Sequence, residues 1–196
     1  MSVSQFFDVI IVGMGPAGAS AAYELSRAGL SVLGLEKQTH PRYKVCGGGL
    51  SARIEEILPS GFQSVVEDTV NRMIFSYGPS EQYVVESAKP MAYMVMRSRF
   101  DQWLVENAQH AGTEVHENEP VTTLTHRSDC VEVSTVRNQY RTQVVIGADG
   151  ALSTVAQQLF SHRRLQKIPA LESEIKSSPT HHHNYLNTAL ISLNAA

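Results

Sequence analysis

The chain has 196 residues and only two cysteines, Cys46 and Cys130, which lie far apart and match no metal-ligand spacing. That excludes a disulfide framework and points to a reducing, cytoplasmic setting. No run approaches the ~18 apolar residues of a membrane-spanning helix. The apolar start FFDVIIVGMG lacks the cationic flank and cleavage site of a secretory signal, so it reads as a strand. Charge of one sign is also lacking: a net charge of −3 and a pI near 6.2 set up no field that would draw nucleic acid or an anionic membrane. The densest basic cluster, HRRLQK at 162–167, reads as the solvated end of a helix. The three histidines at 181–183 have no acidic or cysteine partner at ligand spacing, so a solvated loop is read there and no metal site. The dipeptide Gly-Asp does not occur at all.

What is present is an ordinary globular balance, 42% hydrophobic and 18% charged residues, sufficient to build a core. Residues 6–12, FFDVIIV, are apolar and β-branched without alternation, the pattern of a strand buried on both faces of a parallel sheet. Pro16 stands where a helix can begin, and the segment that follows predicts a helix with a small-residue face of Gly18, Ala21, Ala22 and Leu25, ended by Gly29. LSVLGLEK is a second buried strand. LSARIEEILP predicts a short helix, and residues 70–96 change character to strand-like pieces divided by Gly78, Pro79 and Pro90, an antiparallel insert. A helix returns at SRFDQWLVENAQHAG with Phe100, Trp103, Leu104, Ala108 and Ala111 on one face and Ser98 and Asp101 as a capping box. Further strands and a short helix at ALSTVAQQLF follow.

Gly13, Gly15 and Gly18 form GxGxxG between the first strand and the first helix, and Glu36 closes the second strand 23 residues after Gly13. The first glycine makes the tight turn, the second admits a pyrophosphate to the backbone, and the third lets helix and strand pack closely. Pro16 and Ala17 open the helix, whose exposed N–H groups and positive dipole end face the phosphates. Glu36, with Lys37 beside it, can accept hydrogen bonds from a ribose diol, and its charge would repel a 2′-phosphate. FAD or NAD therefore fits better than NADP.

Three further stretches lie downstream: PRYKVCGGGL at 41–50, RSRFDQWL at 97–104 and GADGALSTV at 147–155. In this order, after IVGMGPAGASAAYELSRAGLSVLGLEK, they closely resemble the FAD-binding part of the geranylgeranyl reductase family over about residues 6–175. The resemblance implies an α/β fold: a Rossmann-like FAD-binding domain of glutathione reductase type, with an antiparallel β insert and an incomplete substrate domain. The expected boundaries are 1–62 and 97–165 for the FAD-binding part, and 66–96 and 166–196 for the substrate-binding β part. It also implies that Cys46, Gly47 and Gly48 lie at the flavin ring, where glycines let main-chain N–H groups approach a flat surface. A flexible surface loop is the alternative. Arg97 resembles the arginine that reaches the flavin side of the cofactor, or is an ordinary surface arginine before a helix. Val121 matches the position whose backbone meets the adenine, or is core. Asp149 resembles the residue of a motif that helps hold FAD, or caps a helix. Asp101 is explained as a cap and stays outside the site. Ala156 and Gln157 stand where relatives often carry a basic residue.

The activity implied is FAD-dependent reduction of isoprenoid carbon–carbon double bonds, with hydride from reduced flavin and a proton donor acting beside it. Cys46 is the candidate catalytic donor. The external reductant is NADPH or a reduced ferredoxin-like donor, and the partner is a hydrophobic isoprenoid substrate with peripheral membrane contact through it. Two other readings stay open: a flavin monooxygenase of the same fold, and a non-catalytic nucleotide-binding fragment. The absent Gly-Asp motif and the sheet only begun after IPALESEI lead to the expectation of an N-terminal part of a longer family member.

Overall fold

The computed structural model describes residues 5–77, 81–160, 168–176, 178 and 185–193. The basic cluster at 162–167 and the histidines at 181–183 lie outside the described residues. The chain forms two compact units, residues 1–43 with 98–169 and residues 44–97 with 170–196.

In the first unit β1 (Phe6–Val12) runs into α1 (Pro16–Arg27) and on to β2 (Val32–Leu35), which pairs parallel to β1. The unalternating apolar run of β1 makes it a central strand, with β2 on one side. β11 (Gln139–Gly147) lies parallel on the other side, and β8 (Glu114–His116) extends the sheet beyond β2. β9 (Val121–His126) and β10 (Val131–Thr135) continue past β11 in antiparallel fashion, giving the order β8-β2-β1-β11-β10-β9. Phe7, Ile10, Val12, Leu33, Leu35, Val121, Val133, Tyr140 and Val155 form the core on this sheet. Gly34 has no side chain because the Met14 thioether fills that space, with Sδ only 2.5 Å from where a Cβ would stand.

Two helices correct the expected faces. The buried residues of α1 are Gly18, Ala19 and Ala22, so Ala19 rather than Ala21 packs inward. The buried residues of α2 (Arg97–His110) are Phe100, Asp101, Leu104, Val105 and Ala108, with Trp103 and Ala111 only half-buried. The capping box is not formed as expected, since Ser98 already lies inside the helix. α3 (Thr154–Leu159) closes the first unit.

The second unit holds two three-stranded sheets. β3 (Gly49–Ser51), β7 (Ala92–Val95) and β4 (Val66–Val70) form one, in the order β3-β7-β4. β12 (Thr188–Leu193), β5 (Arg72–Tyr77) and β6 (Glu81–Glu86) form the other, β12 parallel and β6 antiparallel to β5. The insert is thus antiparallel within 70–96, as its turn residues imply, although its strands divide between two sheets. The helix expected in LSARIEEILP, residues 50–59, is a 3₁₀ turn over Ala52–Glu56, which buries no residue and so gains nothing from a longer amphipathic helix.

A polar cluster ties β11 to the β8–β9 connection. Glu119, 4% exposed, accepts hydrogen bonds at Oε1 from Thr135 (2.8 Å), Asn138 (2.9 Å) and the Tyr140 hydroxyl (2.9 Å). Burial alone would raise the Glu119 pKa, but the bonds from Asn138, Thr135 and Tyr140, with the His116 charge, hold it below the ordinary value. Burial and the Glu119 carboxylate push Tyr140 up to about 12. A tyrosine raised from its ordinary 10 stabilises the fold fully below pH 10 and loses that contribution as pH climbs through about 12. Tyr140→Phe should cost about 1.5–3 kcal/mol at pH 8, the scale of a hydrogen bond to a charged group. Urea unfolding of both proteins from pH 8 to 12 should show the difference shrinking only above pH 10; a constant difference would contradict this coupling.

Candidate functional site

The turn from β1 to α1 explains two of the three fingerprint glycines by close approach. Gly18 sits in the first turn of α1, and a Cβ there would stand 1.9 Å from the Gly13 carbonyl oxygen, so any side chain would push the helix off the strand. Gly13 adopts φ +94, and its own Cβ would meet the Ala148 carbonyl oxygen at 2.6 Å and the Asp149 Cα at 2.8 Å. The first glycine therefore serves both the turn and the packing of the β11 end on the β1 end.

Gly15 is the N-cap of α1 and offers no side chain to the helix; Pro16 opens the first turn, which has no acidic residue. The amide groups at this end have no capping oxygen from the N-cap side chain, and they concentrate the positive end of a 12-residue helix dipole. Ala17 is exposed there. An anion fits this position better than any side chain present.

Glu36 directly follows β2 and is 4% exposed. Its Oε2 accepts from the Met14 N–H at 2.9 Å and its Oε1 from the Gln38 N–H at 3.1 Å, so the carboxylate is held against the loop that leads into α1. Lys37 is exposed. Val121 begins β9 with its side chain in the core. The Asp149 carboxylate is used within the protein: it accepts from Ser153 Oγ and from the Thr154 (2.6 Å) and Val155 (3.2 Å) N–H groups, capping α3. Of its two readings, the helix cap is the one its side chain performs here.

Two residues of this unit escaped the sequence reading. Arg42, whose side chain is 10% exposed, lies over the fingerprint: its Nη2 is 3.3 Å from where a Gly15 Cβ would stand and 4.0 Å from Glu36 Oε2. Its Nη1 is 3.1 Å from Asp101 Oδ2, and that side chain is fully buried. This approach is ionic and off the hydrogen-bonding direction, for Arg42 Nε and Nη1 are buried without hydrogen-bond partners. Asp101, expected as a cap, is instead the buried partner of a cation. The signal was available: a carboxylate at 101, beside Phe100 and four and seven residues before Val105 and Ala108, falls on an apolar stripe, where it needs a cation. Unpartnered N–H donors beside an open helix N-terminus, with a carboxylate acceptor next to them, suit a diphosphate and a ribose diol.

In the second unit, the glycine run after Cys46 splits by role. Gly48, at φ +71, is buried against β7: a Cβ would stand 2.2 Å from the Val95 carbonyl oxygen, and its own carbonyl accepts from the Val95 N–H at 2.9 Å. Gly47 is exposed and meets nothing within 4 Å, while Gly49 enters β3. Cys46 is exposed, and its N–H donates to Glu172 Oε2. The Gly48 N–H and the Arg97 side chain hydrogen-bond the sulfur, and with the Arg97 charge they hold the thiol below its ordinary pKa against partial burial and the Glu172 charge. Sequence reasoning named Arg97 and Cys46 separately, and the structure brings them together. Among the described residues no cluster of three metal-ligating side chains occurs, and no helix is long and apolar enough to cross a membrane.

A family described as "FAD binding domain" matches residues 7–185. Protein FixC of Salmonella typhi is 35% identical over 178 residues, covering 83% of this chain and 41% of that protein. Geranylgeranyl diphosphate reductase of Rhodobacter capsulatus is 33% identical over 190 residues, covering 91% of this chain and 46% of that one. The crystal structure of a geranylgeranyl bacteriochlorophyll reductase-like protein from Thermoplasma acidophilum superposes with a TM-score of 0.65 at 28% identity, over 76% of this chain and 40% of that one. The likeness to geranylgeranyl reductases expected from the four motifs is thus found among these relatives, and the chain spans less than half of their length. With the open helix end, the Glu36 acceptor and a match running over most of its residues, the chain belongs to the FAD binding domain family.

Proposed function

We propose that the chain binds FAD and serves the reduction of isoprenoid carbon–carbon double bonds. The observation that carries the cofactor is the pairing of an open α1 N-terminus with the buried Glu36 carboxylate in a chain of the FAD binding domain family. The alkene substrate is supported by the relatives named as geranylgeranyl reductases. The amide groups at the start of α1 and the Arg42 guanidinium would hold the diphosphate, and Glu36 the adenosine ribose. Flavin, when bound, supplies the hydride. The external reductant in this reading is NADPH or a reduced ferredoxin-like protein. The setting is cytoplasmic, with membrane contact made through the isoprenoid.

Cys46 is the proton donor in this reading. Its surroundings hold the thiol below its ordinary pKa, which makes Cys46 a stronger acid than an ordinary cysteine and a readier proton donor. The sulfur is also accessible, and Arg97 and the Gly48 N–H ease its deprotonation.

Titration of FAD into the purified chain, followed by quenching of flavin fluorescence, tests the cofactor. Saturable binding is expected, with Glu36→Ala weakening it about tenfold for the lost hydrogen bonds; a chain that leaves FAD fluorescence unchanged would sink the reading. For Cys46, the pH midpoint of iodoacetamide alkylation, read by mass spectrometry, should rise in Arg97→Gln and fall in Glu172→Gln. At pH 7 the arginine variant should react about threefold to tenfold more slowly. Identical profiles for all three proteins would mean that neither charge acts on the sulfur.

A further inference from the structure

We propose that Asp101 is a positioning residue for the ribose: it draws the Arg42 guanidinium aside and so keeps Glu36 available to a ribose diol. The inference rests on the FAD reading and concerns how this chain sets up its nucleotide half.

Three buried charges lie together at the fingerprint, two carboxylates and one cation. Arg42 stands between them, its Nη1 3.1 Å from Asp101 Oδ2 and its Nη2 4.0 Å from Glu36 Oε2. All three side chains are at least nine-tenths buried, so the attractions are little screened by solvent. The position of the guanidinium is then set by the balance of the two carboxylates, and the shorter distance shows Asp101 prevailing.

Counting acceptor sites shows why the balance matters. A carboxylate offers about four lone-pair sites. Glu36 commits one at each oxygen to the Met14 and Gln38 N–H groups. About two remain, the number that a vicinal ribose diol needs. An arginine fork paired bidentately with Glu36 would take both. Without the Asp101 charge, Arg42 has one carboxylate left within reach among those its ion pairs record, and a movement of about 1 Å would close the fork on Glu36. Asp101, from the first turns of α2, therefore controls an acceptor just past the end of β2 without touching the nucleotide.

The test compares ADP with 2′,3′-dideoxyadenosine diphosphate, which keeps the base and diphosphate and lacks the diol. Calorimetric titration of the full chain should show the wild type preferring ADP by about tenfold or more. In Asp101→Asn, which preserves volume and removes the charge, the preference should fall to within about twofold. In the double variant Asp101→Asn with Arg42→Gln, no cation remains to close on Glu36, and most of the preference should return. A merely structural role for Asp101 would weaken both ligands alike and leave their ratio unchanged, which overturns the inference; so does a double variant that does not recover.

Should Asp101→Asn fail to fold, Arg42→Gln alone decides. It should keep or increase the preference for ADP, whereas its loss would mean that Arg42 itself holds the diol and the inference is wrong. A wild-type chain that binds FAD yet does not distinguish the two diphosphates overturns the inference and leaves the FAD reading standing. A chain that binds neither FAD nor ADP overturns both.

Discussion

The approach of α1 to the end of β1 is the constraint on which the nucleotide half depends. With Gly18 against the Gly13 carbonyl and Gly13 against the Ala148–Asp149 turn, three chain segments meet at backbone distance. That contact sets the α1 N-terminus at the carboxyl ends of β1 and β11, where no N-cap side chain takes up the amide donors and Arg42 lies alongside. An anion-binding site is then a consequence of packing, and it needs no specialised residue beyond the absence of side chains at two positions.

Around that open end the charges are arranged by burial. Glu36 is anchored by two backbone amides, Arg42 lies between it and Asp101, and Asp149 is spent on capping α3. Buried carboxylates of this kind are costly unless paired, and each has its partner here. The polar cluster of Glu119, Tyr140, Asn138 and Thr135 follows the same rule at the other side of β2, where the Glu119 N–H also bonds the Glu36 carbonyl. The loop that carries Glu36 is therefore fixed from two directions before any ligand arrives.

Cys46 illustrates how a local field sharpens the chemistry of a residue. Its sequence context, followed by glycines, suggested a proton donor beside a planar ring. Its surroundings, an arginine and an amide aimed at the sulfur, lower the thiol pKa and so strengthen it as an acid. Gly48 owes its place to the Val95 carbonyl it packs against, and Gly47 retains open space.

Much of the fold could be read from local pattern, because strand burial and helix turns leave periodic traces: β1, α1, β2, the insert strands and α2 all appear close to their expected positions. Gly18 and Glu36 were legible for the same reason, since Gly18 packs on Gly13 and Glu36 bonds Met14 and Gln38, all within some twenty residues of chain, whereas the approach of Gly13 to Ala148 was not. Tertiary structure alone decided the rest. Asp101 and Arg42 lie 59 positions apart, and only the packing of α2 beside the β1–α1 turn makes them partners. The pairing of Arg97 with Cys46 depends likewise on where side chains from distant segments converge. Sequence determines which residues can carry a charge or omit a side chain; long-range packing determines which of them meet, because electrostatic and steric contacts act over a few ångströms of space and are blind to distance along the chain.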